Sequence, residues 1–173
     1  MSDRSQRGVS FTELIIVLAL ISIIGLVTTN YVVSWLPREA MRGAIYQTQQ
    51  AMQIARAQAI ARNRKVRVIV DATGREVATI DLNDPLDLTD DILLHHVILP
   101  DTVSFARPDP GAAVTLTFVS TGLYEATFLS DGSVAGAGIV ALTGGDGAYR
   151  VNLQGAGATS VERWTGSSWV AGS

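Results

Sequence analysis

The amino-terminal third of the chain changes pattern twice. Residues 1–8 read MSDRSQRG, a polar stretch with Arg4 and Arg7. An apolar run follows from Leu14 to Val27, extended by Val32, Val33, Trp35 and Leu36. As a helix, Leu14 to Trp35 rises roughly 30 Å, the thickness of a bilayer core. The run therefore predicts a membrane-spanning helix. The two arginines hold the short amino-terminal side in the cytoplasm and send the longer part across. Tyr31 and Trp35 fall where an interfacial aromatic belt belongs. No small-residue cleavage site follows the run, so it reads as an anchor and not as an ordinary cleaved secretory signal.

Pro37 punctuates the helix and predicts a kink or a fresh start. From Arg38 to about Asn63 the pattern is again helical. Met41, Ile45, Thr48, Met52, Ala55 and Ala59 recur at alternating spacings of four and three, flanked by Ala44, Ala51 and several glutamines. This narrow stripe of small and apolar residues predicts a helix laid on the protein's own sheet. Gly25 lowers helix propensity in the apolar half.

Beyond Lys65 the period becomes two. Val66, Val68 and Val70 alternate with Arg67 and Ile69, which predicts a half-buried strand. Asp71 to Gly74 is a turn and 76–81 its return strand. Further strands are predicted at 92–99, 102–105, 113–119, 125–129, 138–143, 148–154 and 159–164. Short Gly-rich connections such as Ser130-Asp131-Gly132 favour an antiparallel meander. The echo between residues 117–122 (TFVSTG) and 127–132 (TFLSDG) reads as two similar hairpin edges, since two copies do not make a solenoid. The fold class expected is α+β: a long N-terminal helix, transmembrane then amphipathic, packed on an antiparallel β-sheet head.

Composition sharpens this picture. Hydrophobic residues make up 47% of the 173, but the excess sits in the first forty. The absence of cysteine excludes disulfides, thiolate metal sites and a cysteine nucleophile. The net charge of −3 hides an asymmetry. Arg38, Arg42, Arg56, Arg62, Arg64 and Lys65 stand against Glu39 alone between 37 and 65. From Val66 onward five arginines face thirteen carboxylates. Two solvated surfaces of opposite sign account for this, with head-to-rod steering between subunits as the sharper reading.

Glu13 does not fit a plain anchor. It sits just inside the apolar run, where an ionised carboxylate is costly. The basic groups near it are Arg7 and, if the chain is cut after Gly8, the new amino group of Val9. Val9 and Glu13 are four apart and share a helix face. The stretch Gly8-Val-Ser-Phe-Thr-Glu13-Leu-Ile-Ile-Val resembles the type III leader of type IV pilins and type II secretion pseudopilins. The resemblance implies cleavage by prepilin peptidase between Gly8 and Val9, N-methylation of Val9, and a role for Glu13 in docking the subunit into a filament. Val9 departs from the family, where phenylalanine or methionine is usual. Residues 51–70 (AMQIARAQAIARNRKVRVIV) resemble the helix-to-strand junction of the GspH/FimT group, the H-type minor pseudopilins and related minor pilins. Phe128–Gly132 matches that group's Phe-x-x-Asp-Gly element, and residues 149–153 its late strand pair. The group's Gly-Arg-Val-Arg-type ending is replaced by Gly157-Ala-Thr-Ser-Val-Glu-Arg-Trp164.

The resemblance implies a pilin-like chain in four parts. These are a cytoplasmic leader (1–8), a transmembrane helix (9–36), an amphipathic periplasmic helix (37–65) and a β-rich periplasmic head (66–173). It implies a single-pass bacterial inner-membrane protein that assembles near the tip of the periplasmic pseudopilus of a type II secretion system. Its partners would be other major and minor pseudopilins, prepilin peptidase, the inner-membrane secretion platform and membrane lipid. A minor pilin of a type IV pilus, acting in pilus assembly or DNA uptake, is the alternative. A non-assembling anchored binding protein is a third class, which Glu13 argues against.

Other chemistry finds little support. The acidic run 81–91 offers oxygen ligands for calcium but lacks the EF-hand glycine, with Leu86 at the sixth position and Ile92 at the twelfth, so it reads as a solvated loop. His95 and His96 are adjacent in a strand, point to opposite faces and cannot share a metal. No catalytic motif, cofactor site or metal site is expected, and the chain reads as non-enzymatic. After Arg107 the head has only Arg150 and Arg163, too sparse for a duplex-binding surface, so no nucleic-acid partner is expected.

Overall fold

A long helix, two antiparallel sheets and the short crossing between them make up the computed structural model of the chain. It describes residues 10–82, 91–145 and 147–172, with no description of the side chains of 26–34. Helix α1 spans Phe11–Arg62 and continues through Pro37, where the sequence predicts a kink or a new segment. The chain divides into two compact units, Met1–Leu36 and Pro37–Ser173.

In the second unit, α1 ends where its sequence stops supporting it. Asn63 takes a left-handed φ of 51°, and the Arg64 N–H reaches back to the Ala59 carbonyl at 3.1 Å. Asparagine tolerates this conformation and so closes the helix. Strands β1 (Val66–Asp71) and β2 (Glu76–Asp81) then form a hairpin. Its turn is fixed by Asp71, whose Oδ1 accepts the N–H groups of Thr73 and Gly74, each at 2.8 Å. The remaining strands are β3 (Ile92–Ile98), β4 (Val103–Ser104), β5 (Thr117–Ser120), β6 (Leu123–Phe128), β7 (Val134–Ala135), β8 (Gly138–Gly144), β9 (Gly147–Leu153), β10 (Thr159–Trp164) and β11 (Trp169–Ala171).

The head is two sheets rather than one meander. The first has the order β3-β2-β1-β6-β5, with β7 also on β6, and the second β11-β10-β9-β8-β4. All pairings are antiparallel. The segment expected as one strand at 113–119 crosses between them. Val114 bridges Val140, and the Thr115 N–H donates to the Ile139 carbonyl at 3.0 Å in the second sheet. From Thr117 the same segment pairs with β6 in the first. Gly138 permits the crossing, because a Cβ there would lie 2.6 Å from the Thr115 carbonyl oxygen.

The stripe read from the sequence forms the roof of the core. Met41, Met52, Ala51, Ala55, Ala59 and Thr48 are fully buried and Ile45 nearly so. They join Val66, Val68 and Val70 of β1, Phe128 of β6 and Val140, Leu142 and Val151 of the second sheet in one cluster. The alternation of β1 explains this, since a period of two turns every valine to one face. The helix lies against both sheets. The Thr79 hydroxyl donates to the Ala51 carbonyl at 3.2 Å on one side, and Gln49 Nε2 donates to Thr159 Oγ1 at 3.4 Å on the other. Thr48 satisfies its own hydroxyl by donating to the Ala44 carbonyl at 2.8 Å.

A core complete within the second unit gives a direct expectation. A protein beginning at Pro37 is soluble, unfolds cooperatively and shows a mixed α/β circular dichroism spectrum. An all-helical or unfolded spectrum contradicts this architecture.

Candidate assembly surface

The start of α1 carries the charged position singled out above. Ser10 precedes the helix and its carbonyl accepts the Leu14 N–H at 3.1 Å. Glu13 therefore lies in the first turn, exposed, where the helix dipole favours negative charge. Gly8 and Val9 lie outside the described residues. Behind Glu13, ten large apolar side chains between Phe11 and Ile24 are each 46–76% exposed. Five of them, Leu14 to Leu18, are consecutive, so the helix is apolar around its whole circumference. Such a surface has to be covered by lipid or by other helices. Ser22 hides its hydroxyl by donating to the Leu18 carbonyl at 2.8 Å. Among the described residues no helix is long and apolar enough to cross a membrane. The apolar run of the sequence continues into 26–34, whose side chains are not among those described.

In the head, the Phe-x-x-Asp-Gly element is a turn that seats the helix. Phe128 is fully buried at the end of β6. Asp131 Oδ1 accepts the Ser133 N–H at 2.9 Å and its hydroxyl at 2.6 Å, and these bonds hold the Asp131 carboxyl below the usual carboxylate range. Gly132, at φ 80°, abuts Ile60 and Arg56 of α1, where a Cβ would lie 2.7 Å from Ile60 Cδ1. A second glycine turn meets it there. A Cβ on Gly157, at φ 75°, would lie 2.0 Å from the Gly132 carbonyl oxygen.

Charged residues of the head are mostly engaged locally. Asp81, read from the sequence both as the end of the return strand 76–81 and as the start of a solvated acidic run, does end β2 but is fully buried, with its Oδ2 2.5 Å from Arg62 Nη1. Strand alternation explains the difference: Asp81 falls on the inward face with Val77 and Thr79. Residues 83–90 of that acidic run lie outside the described ones. His96 faces Glu76 at 3.1 Å while His95 pairs in register with buried Thr79, so the two rings belong to different surroundings.

A cluster the sequence did not reveal fastens the carboxy-terminal strand. The Trp169 indole N–H donates to Asp109 Oδ2 at 3.1 Å, and its ring lies under the Arg150 guanidinium at 4.6 Å and beside Trp164 at 5.3 Å. Arg107 donates to both Asp109 oxygens, through Nε at 2.9 Å. The Arg107 guanidinium, aided by the indole, holds the Asp109 carboxyl well below the usual carboxylate range. Arg150 also donates to Glu162 at 2.7 Å. The network joins the 105–112 loop, β9, β10 and β11, partners distant in sequence.

Comparison with known proteins places this architecture. A family model described as prokaryotic N-terminal methylation motif matches residues 3–29, which include Gly8, Val9 and Glu13. No curated protein matches. Among solved structures, the type IV minor pilin FimU of Pseudomonas aeruginosa shares the fold, with a TM-score of 0.50 at 13% identity over 77% of this chain and 94% of that one. The minor pseudopilin EpsH of the type 2 secretion system of Vibrio cholerae aligns with a TM-score of 0.49 at 16% identity over 72% of this chain and 97% of that one. A family model described as type II transport protein GspH matches residues 44–157, two thirds of the chain, and the chain belongs to that family.

Proposed function

We propose that this protein is a minor pseudopilin of a type II secretion system, assembling near the tip of its periplasmic pseudopilus. The family supports the coarser statement directly: the chain is a minor pseudopilin or minor pilin. The observation that carries the proposal is the combination of a helix apolar on every side, a carboxylate in its first turn and a separate, self-contained GspH-family head. The family model's description as a type II transport protein favours secretion over a pilus.

On this reading residues 1–8 are a cytoplasmic leader, removed between Gly8 and Val9, and Val9 is then N-methylated. Residues 9–36 hold the subunit in the inner membrane. The amphipathic helix 37–65 and the head 66–173 lie in the periplasm. The work is associative rather than catalytic. The partners are the other pseudopilins, prepilin peptidase, the secretion platform and lipid. Glu13 accepts the charge of a Val9 amine as the subunit docks, in a site where an unpaired carboxylate is costly.

Cells lacking the gene, complemented with the wild-type chain or with Gly8→Val, provide the test. The wild-type protein extracted from membranes has the mass of a chain starting at Val9, one methyl group heavier than the unmodified chain, and it restores secretion. The Gly8→Val protein retains residues 1–8 and does not restore it. A wild-type chain keeping residues 1–8 beside active prepilin peptidase contradicts the processing. Normal secretion in the deleted strain, with pili lost, assigns the protein to the pilus instead.

A further inference from the structure

Helix α1 carries a second stripe beside the buried one. Arg42, Tyr46, Gln49, Gln53, Arg56 and Ile60 follow spacings of four, three, four, three and four, each one residue beyond a member of the core stripe. They stay exposed or half-buried, with Tyr46 at 52% and Ile60 at 50%. The stripe runs along the seam between the helix and the β10–β11 side of the second sheet. Gln49 and Gln53 mark its middle, each within 3.5 Å of Thr159 Oγ1.

A cleft opens at each end of this seam. The first, of about 230 Å³, is bounded by Arg42, Tyr46, Tyr149, Arg163 and Val170. The second, of about 510 Å³, is bounded by Gln53, Arg56, Ile60, Gly157 and Thr159. Among the described residues no carboxylate lines either one. The described acids closest in sequence are occupied or peripheral: Glu162 bonds Arg150, Asp131 beside Gly132 accepts from Ser133, and Glu39 meets Arg42 only at 3.9 Å between exposed side chains, a contact worth little. Arg56 Nε is buried and has no hydrogen-bond acceptor among the described residues. The groove therefore presents three guanidinium groups and two amide donors, with no acid lining its clefts among the described residues.

We infer that this seam docks an acidic-faced α-helix of a neighbouring filament subunit; the inference rests on the assembly role proposed above. Charge selects the occupant's sign. Guanidinium groups pair with carboxylates in a fixed, often two-pronged geometry. Spacing selects its shape. A ridge repeating at four and three is what a second helix packs against, and Asp or Glu at the same spacing on the partner meets Arg42 and Arg56 together. The ridge from Arg42 to Ile60 extends about 27 Å, the reach of roughly five helical turns. Tyr46, Ile60 and Val170 supply apolar contact beside the charges.

The chain has no cysteine, so one introduced thiol is unique. A thiol-linked photo-crosslinker at Gln53→Cys, in the full-length chain within cells carrying its filament partners, reads the groove. The same probe at Ile16→Cys reads the amino-terminal helix, and at Leu93→Cys the exposed face of β3. The Gln53 probe captures another pilin-type subunit at an acidic helical segment. Adding Arg42→Glu and Arg163→Glu lowers that adduct roughly tenfold and leaves the Ile16 adduct in place. Both arginines are exposed, so the head keeps its melting temperature. A Gln53 adduct to lipid, to a second copy of this chain or to a non-helical segment overturns the inference, as does an adduct indifferent to the charge reversals. Ile16 adducts without Gln53 adducts overturn the groove and leave the assembly reading standing. Loss of both in the unreversed chain contradicts the assembly reading.

Discussion

Gly157→Ala lowers the melting temperature of the head by about 10 °C or more, corresponding to roughly 3 kcal/mol. Two costs add. The backbone there sits at φ 75°, where any residue with a Cβ is strained by about 1–2 kcal/mol. The new Cβ would also lie 2.0 Å from the Gly132 carbonyl oxygen and 3.1 Å from Arg56 Nε. Carbonyl and turn cannot simply rotate aside, because the Gly132 N–H is bonded to Leu129 and the Gly157 N–H to Gln154. The turns after β6 and β9 must separate, and with them the junction of the two sheets under α1. Two controls divide the effect. Gly155→Ala, two residues away, meets nothing within 4 Å at an ordinary φ and is nearly neutral. Gly166→Ala meets nothing within 4 Å but stands at φ 101°, so it shows backbone strain alone. Thermal melts of the three variants, in a protein beginning at Pro37, are the measurement. A Gly157→Ala melt no lower than that of Gly166→Ala contradicts the interlocked turns.

What could be read in the sequence follows from how far each signal reaches along the chain. The core stripe of α1 was legible because a helix buries one face at a period that only a handful of residues need to show, and Met41 to Ala59 show it without a break. Strand β1 was legible for the same reason at a period of two. The short strands were not. Val134–Ala135 stands between glycines and Trp169–Ala171 follows a serine-glycine turn, so neither is long enough to alternate. The division into two sheets was hidden in residues 113–120, an unbroken β-like run whose halves pair with different neighbours. The site divides likewise. The methylation motif matched over residues 3–29, with Glu13 inside it, is contiguous and could be recognised as a unit. Asp109 meets Trp169, and Gly132 meets Gly157, across stretches that no local pattern connects. The second stripe on α1 was present in the sequence, one position beyond the first, but only the position of β10 and β11 shows that it borders a groove.

Glu13→Val leaves the protein cleaved, membrane-bound and folded, yet removes it from the filament. On the proposed membrane anchoring, the substitution takes a carboxylate out of an apolar helix, where holding that charge in lipid is costly, so retention in the membrane survives or improves. The head is untouched, since its core lies wholly within residues beyond Pro37. On the proposed assembly role, what is lost is the acceptor for the Val9 amine. At docking, that cation enters a low-dielectric site without its partner, and breaking such a pair costs about 3–5 kcal/mol. Incorporation falls accordingly, by a hundredfold or so at the lower end of that range. The Ile16→Cys photo-crosslinking probe, placed in wild-type and Glu13→Val chains at equal membrane abundance and compared with secretion in the same cells, tests this assembly mechanism most directly. The wild-type chain yields adducts with other pseudopilins and supports secretion, while Glu13→Val loses both. A variant that crosslinks and secretes as the wild type does would contradict the assembly role of Glu13 and return the protein to a plain anchored binding module.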